Sequence, residues 1–203
     1  MAFQDPETEM RQALPLLLAL TAGPALADPL DDRALAVFAA SFADLCGSAF
    51  GEDGSVIEAP QRHDLQMDWS GMEPQAAVLW QFRCNIGAYN VTDVFLLHTD
   101  LDGVVPLSLA QPALDVVMEN PEDFESPLKS VTVGGWSANP SAVNASFDPT
   151  TATLSATGYW RGVGDAYDAG TWVLRDGGFR LVHYEADASY DGEAKPQLVL
   201  DFP

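Results

Sequence analysis

The 203-residue chain carries nine lysines and arginines, three histidines and two cysteines, against thirty aspartates and glutamates. Each shortage closes off a class of function. Releasing counterions from a nucleic-acid backbone takes lysines and arginines, so a formal charge of −21 excludes nucleic acid as a partner. Anionic lipid is disfavoured by the same repulsion. Cys46 and Cys84 stand at a spacing that fits no zinc motif, and no metal or cofactor is expected. No serine or cysteine sits in a recognisable activating motif. Internal repeats and low-complexity tracts are absent.

What is present begins with a leader. Residues 1–9 are polar and precede the expected native start at Met10. Arg11 supplies a basic n-region, Leu14 to Leu20 a short apolar core, and Ala25-Leu26-Ala27 a small-x-small cleavage site. This reads as a secretory signal peptide over residues 10–27, too short to span a bilayer. Pro15 and Pro24 argue against a buried helix there. With no cysteine after the apolar core, no lipid anchor is expected. Cleavage after Ala27 of the 203-residue chain leaves 176 residues, enough for one core, so 28–203 reads as a single domain. Three acids and one base leave with the leader, so the mature charge is about −19. In a periplasmic or extracellular setting the two cysteines read as one disulfide, Cys46–Cys84. Closing that loop would contribute ~3–4 kcal/mol by the chain-entropy model. The acidity suits simple solubility, or attraction to a cationic partner, metal or polycation.

Along the mature chain, Asp28 to Asp32 forms a turn whose acids suit a helix N-terminus. From Arg33, Leu35, Phe38, Phe42, Leu45 and Phe50 recur at helical spacing, with Gly47 or Gly51 as the stop. Short extended runs follow at His63–Trp69, Ala76–Cys84, Val91–Thr99 and Val104–Leu109. Residues 110–130, with Pro112, Pro121 and Pro127 among scattered acids, read as a long mobile loop with one helical turn. Val131–Val133 and Ala142–Phe147 lead into the most informative stretch, and Gln197–Phe202 is placed to close the sheet.

That stretch runs from Phe147 to Asp187. Leu154, Ala156, Gly158 and Trp160 alternate with Thr153, Ser155, Thr157 and Tyr159, the period of a strand with one buried face. Gly162, Gly164, Asp165 and Asp168 to Gly170 interrupt it, and Thr171–Arg175 resumes. Asp176-Gly177-Gly178 then supplies residues that tolerate φ > 0 in a tight hairpin before Phe179–Ala186. The result is a three-stranded antiparallel meander with Trp172, Leu174, Phe179, Leu181 and His183 expected on one face.

Here the sequence resembles a known family. Phe147-Asp148-Pro149, Gly158-x-x-Arg161-Gly162-x-Gly164-Asp165, Gly170-Thr171-Trp172-Val173 and Phe179-Arg180-Leu181 resemble the C-terminal part of a family of secreted bacterial proteins. It is catalogued as domain of unknown function 1176. A second block, Cys84-Asn85-Ile86-Gly87-Ala88-Tyr89-Asn90, resembles its Cys-x-x-Gly-Ala-Tyr-Asn segment. The resemblance implies an exported, β-rich protein and supplies no activity. The family pattern has a cysteine directly after Gly-Asp and another after the next strand. Here Ala166 takes the first place and Asp187 to Gly192 contains none, as expected if those two cysteines pair with each other elsewhere in the family.

Candidate chemistry is sparse. Asp100-x-Asp102-Gly103 opens like a calcium loop, but Val104 to Leu107 add no oxygen ligands, so a plain turn is favoured. The Gly162 to Asp168 loop does not lead into a helix, so it cannot cradle phosphate in the manner of a nucleotide loop. Arg161, Asp165, Tyr167 and Asp168 are the candidate ligand-binding residues there, with an internal ion pair as the competing use. His98 with Asp100, and His183 with Glu185, are spaced to share a strand face as base and orienting acid. Trp69, Trp80, Trp136, Trp160 and Trp172 serve the core or a groove.

The expectation is an α+β fold: an N-terminal helix on a mainly antiparallel, twisted sheet, stapled by one disulfide. The function expected is that of an exported, non-enzymatic binding protein whose partner is a basic envelope protein or a small ligand. The alternatives are a lysozyme-inhibitor-like acidic protein presenting Gly162 to Gly170, and a periplasmic hydrolase using a His/carboxylate pair.

Overall fold

A computed structural model describes residues 28–123 and 125–202; the expected leader over 10–27 and residues 1–9 lie outside the described residues. Among the described residues there is one α-helix, α1, which spans Pro29–Phe42. Asp28 caps it by accepting the Leu30 N–H at 3.0 Å, and Asp31 and Asp32 fill the first turn, where the helix dipole favours acids. The cap therefore sits four residues before Asp32, and the helix starts earlier than the Arg33 expected. It also stops earlier, at Phe42, because the chain turns there through Cys46 N–H to Phe42 C=O (2.8 Å) into a 3-10 turn at Gly47–Ala49.

Twelve strands follow among the described residues, all in antiparallel pairs. The first sheet runs β1 (Gln61–Met67), β2 (Gln75–Ile86), β3 (Val91–Thr99), β4 (Gly103–Pro106). Strand β7 (Ser141–Val143) shares with β4 the edge of β3 that faces away from β2. The second sheet is ordered β12 (Gln197–Asp201), β11 (Gly178–Asp187), β10 (Tyr167–Arg175), β9 (Thr153–Tyr159), β8 (Ser146–Asp148). Strands β5 (Leu109–Met118) and β6 (Leu128–Asn139) form a separate hairpin. Two sheets thus replace the one sheet the sequence suggested, because strands of both bury residues in one shared core. Leu65, Leu79, Phe95 and Leu97 of the first meet Leu154, Trp172, Leu174, Phe179 and Leu181 of the second, with Phe95 and Phe179 edge to face at 5.5 Å. Ala34, Phe38 and Phe42 of α1 belong to a second cluster with Trp80, Phe82, Val94 and Leu96, and Phe38 stacks on Phe82 at 4.3 Å.

The largest departure is residues 110–130. They contain most of β5 and the start of β6, joined by a turn, rather than a long loop with a helical turn. Pro112 is tolerated opposite Trp136, and Leu114, Val116, Val131 and Val133 alternate as a strand requires. At Gly134 the hairpin bulges, and a Cβ there would collide with the Asp115 carboxylate.

The Phe147–Asp187 meander is present as β8 to β11. One residue changes face. The β10–β11 register shifts between Thr171 and Trp172, so Trp172 opposes Leu181 while Thr171 opposes His183. The extra residue is Val182; Tyr184 therefore turns inward and His183 leaves the face of Leu181. The disulfide Cys46–Cys84 is present, and both residues are buried.

Candidate functional site

The four candidate residues around the Gly-rich turn do not converge on one ligand. Arg161 and Asp165 take each other. Arg161 Nε donates to Asp165 Oδ1 at 2.7 Å, its Nη2 contacts Asp165 Oδ2, and Nη2 also donates to the Tyr190 carbonyl at 2.9 Å. Asp165 is buried and accepts the Gly192 N–H at 2.9 Å. The Arg161 guanidinium, opposed by burial, holds this carboxyl well below the usual carboxylate range, and Asp165 raises the guanidinium in turn. Arg161 also lies 5.1 Å from the Tyr190 ring centroid and 3.3 Å from Glu125. This ion pair is a clasp: it ties the β9–β10 turn to the β11–β12 connection and, through Glu125, to the hairpin.

Asp168 points to the opposite side, toward the gap between the sheets. Its carboxylate accepts the Trp160 indole N–H (2.7 Å), the Tyr184 hydroxyl (2.5 Å) and the Gln111 amide (3.3 Å). Burial first, then the Asp168 charge, raises the Tyr184 phenol, which therefore stays a donor. Gly158 packs on Asp168, and with Gln111, Asn139 and Ser141 they line a small cavity of about 70 Å3. Tyr167 lies across the sheet beside Tyr159, with ring centroids 6.3 Å apart, and burial followed by Glu185 and Asp187 raises its phenol.

A larger opening lies elsewhere. A cleft of about 410 Å3 lies between Glu125–Leu128 at the hairpin end and Asp187, Ser189, Tyr190, Asp191, Lys195 and Gln197. Asp187 is buried and braces its own turn through the Ser189 N–H (2.9 Å), the Ser189 hydroxyl (2.7 Å) and the Lys195 N–H. The two walls and the segments running into them carry Glu119, Glu122, Asp123, Glu125, Asp187, Asp191 and Glu193 against Lys129, Arg161 and Lys195. Acids outnumber bases there, although Glu125 pairs with Arg161 at 3.3 Å and Lys195 pairs with Asp191 at 3.7 Å and with Glu193. Arg161 and Asp165 do not line this cleft; Arg161 reaches its lining through Glu125 and the Tyr190 carbonyl. Sequence reasoning missed the lining residues because they come from segments about 60 positions apart; the visible signal was two acidic clusters, each beside turn residues.

The two family-like blocks meet. Gly87 closes the β2–β3 turn with its N–H on the Asn90 carbonyl at 2.7 Å, and a Cβ at Gly87 would lie 2.9 Å from that oxygen. Asn90 then treats Tyr159 as a strand partner: its amide donates to the Tyr159 carbonyl (2.8 Å) and accepts the Tyr159 N–H (3.1 Å). Asn144, at φ 45°, bridges Asn90, Tyr89 and Thr157. The Tyr89 ring lies against Gly162, where a Cβ would sit 3.2 Å away. Ala166 and Ala188 are fully buried and directly follow the last β10–β11 pair, Tyr167 with Asp187. Ala166 stands where the family pattern has its first cysteine, and Ala188 lies in the segment after the next strand where the pattern has its second.

The histidine pairs come out differently. His183 sits between Asp201 (Nδ1, 3.2 Å) and Glu185 (Nε2, 3.7 Å), so both ring nitrogens face carboxylates and neither faces a hydroxyl nucleophile. His98 is on β3 beside Val78 and Val104, while Asp100 stands in the following turn. In that turn the Thr99 hydroxyl accepts the Asp102 N–H at 3.0 Å. Among the described residues no cluster of three or more His, Cys, Asp or Glu side chains could hold a metal ion. No described helix is long and apolar enough to cross a membrane.

A family model described as "Protein of unknown function (DUF1176)" matches residues 47–198. The matched span includes both sequence blocks, the cleft and the clasp behind it. No curated protein and no solved structure matches the chain.

Proposed function

The chain belongs to the DUF1176 family, and from that premise we propose that it is an exported, non-enzymatic binding protein that holds a basic partner at the 410 Å3 cleft. The cleft carries this reading. Its volume is that of a ligand or side-chain pocket, its surroundings are acidic, and its rear wall is fixed in advance by Arg161–Asp165. Export is supported by the leader pattern in the sequence and by the buried Cys46–Cys84 disulfide, which persists best in an oxidising compartment. In this reading α1 covers the outer face of the first sheet and leaves the opposite end of the molecule for recognition.

The lysozyme-inhibitor variant of this reading needs a different surface from the one the sequence suggested. Within Gly162 to Gly170, Asp165 is buried in the clasp and Asp168 is occupied by three donors, so the exposed tip is Val163. A basic enzyme would meet the cleft instead. The test is calorimetric titration of the protein with lysozyme and with polylysine at ~0.02 M and ~0.5 M salt, where screening separates charge-driven binding from the rest. Binding that salt removes, and that Glu125→Gln with Asp191→Asn weakens, is expected. Absence of binding at low salt to either probe would refute the reading.

A further inference from the structure

The β5–β6 hairpin has a face that the sandwich only partly uses. Its cross-strand pairs on that face are Pro112–Trp136, Leu114–Val133, Val116–Val131 and Met118–Leu128, all apolar. The two bulges fall on β6, so β5 keeps its alternation and the apolar residues stay aligned along the full hairpin. Pro112 is buried and Leu114 packs on the shared core. On the same face Trp136, Val133 and Val116, paired with Pro112, Leu114 and Val131, are 56%, 40% and 37% exposed. A contiguous apolar strip on a chain of this net charge marks an interaction surface rather than ordinary scatter. At its far end, Leu128 belongs both to the strip and to the wall of the acidic cleft.

We propose that this strip and the cleft form one continuous docking surface for a cationic amphipathic peptide segment, its apolar side on Val116, Val133 and Trp136 and its basic side toward Glu125 and Asp191. The proposal rests on the cleft reading and specifies the partner. Charge complementarity decides between occupants. A second copy of the chain would bring a net −21 against −21, whereas a basic amphipath matches both halves of the surface.

The test uses the full chain, a lysine/leucine peptide patterned as an amphipathic helix, the same composition scrambled, and polylysine. The amphipathic peptide is expected to bind at least about tenfold more tightly than the scrambled one. Trp136→Ser with Val133→Thr should abolish that preference and leave polylysine binding unchanged. Equal affinity for patterned and scrambled peptides would overturn the proposal while leaving the cleft reading standing; failure of polylysine as well would remove both. Sedimentation that shows a dimer dissociated by Trp136→Ser would overturn it in favour of a second copy. If the form beginning at Asp28 binds the patterned peptide and the full chain does not, the apolar segment Leu14 to Leu20 is the occupant, and the proposal again falls.

Discussion

Replacing Ala166 and Ala188 together by cysteine should create a second disulfide. The two positions lie one step beyond the Tyr167–Asp187 pair, and both are fully buried. Directly opposed residues in antiparallel strands have Cα atoms about 4.5–5.5 Å apart, inside the range a disulfide spans. The closed loop has a separation of 22, so the chain-entropy relation gives ~3 kcal/mol, against ~4 kcal/mol for the native bridge with its separation of 38. With a urea dependence of ~2 kcal/mol per M for a domain of this size, the oxidised variant should unfold at a midpoint ~1.5 M higher than its reduced form. Thiol titration of the folded protein and mass spectrometry of its peptides establish the bridge; urea melts give the magnitude. The new bridge spans the same two connections as Arg161–Asp165, so Arg161→Ala should cost less in its presence than in the parent protein. Free thiols in the folded variant, or an oxidised form less stable than the reduced one, would refute the positional argument.

Asn90→Ala removes the amide that pairs with both backbone groups of Tyr159 and should cost about 1–2 kcal/mol in urea unfolding, since part of that backbone then finds water. Asp93 is buried beside Gln81, and burial holds its carboxyl above the ordinary value; the folded state therefore penalises its charge once pH exceeds the unfolded pKa. Asp93→Asn should raise Tm at about pH 7, and the gain should vanish near about pH 3, where both forms are neutral. Asp165 has the opposite sign. Its depressed carboxyl adds stability above the ordinary carboxylate range and loses it as pH falls, so Asp165→Asn should melt lower at neutral pH and converge with the parent in acid.

Much of the second sheet was legible because its signals are local. The alternation of Leu154, Ala156 and Gly158, and the turn at Asp176-Gly177-Gly178, need no tertiary knowledge. Cys46 and Cys84 were legible because two cysteines leave one pairing. His183 was misplaced because a single bulge residue, Val182, reverses every later side chain, and nothing local announces a bulge. The β5–β6 hairpin was hidden by its prolines and acids, which read as loop until Trp136 is seen opposite Pro112. Arg161 and Asp165 were read as candidate ligand-binding residues with an ion pair as the competing use, and their part in a clasp depends on Gly192 and Tyr190, which sequence separation conceals. The cleft went unread because neither wall is a motif and its two acidic clusters lie about 60 positions apart.

Strand β3 gives half of one edge to β4 and the other half to β7: Leu96–Thr99 pair with Gly103–Pro106, and Thr92–Val94 pair with Ser141–Val143. Between those two short strands the chain leaves, runs out along β5, returns along β6 and rejoins the same edge. The hairpin is thus an excursion with neighbouring end points, and lengthening or shortening such a segment changes closure entropy only logarithmically. Beyond the Ala113–Gly135 pair it could be trimmed, extended or exchanged without rewriting the sandwich beneath. Recognition and folding would then be written in separable parts of the chain, and an arm taken from a relative would carry its preference for partners onto an unchanged body.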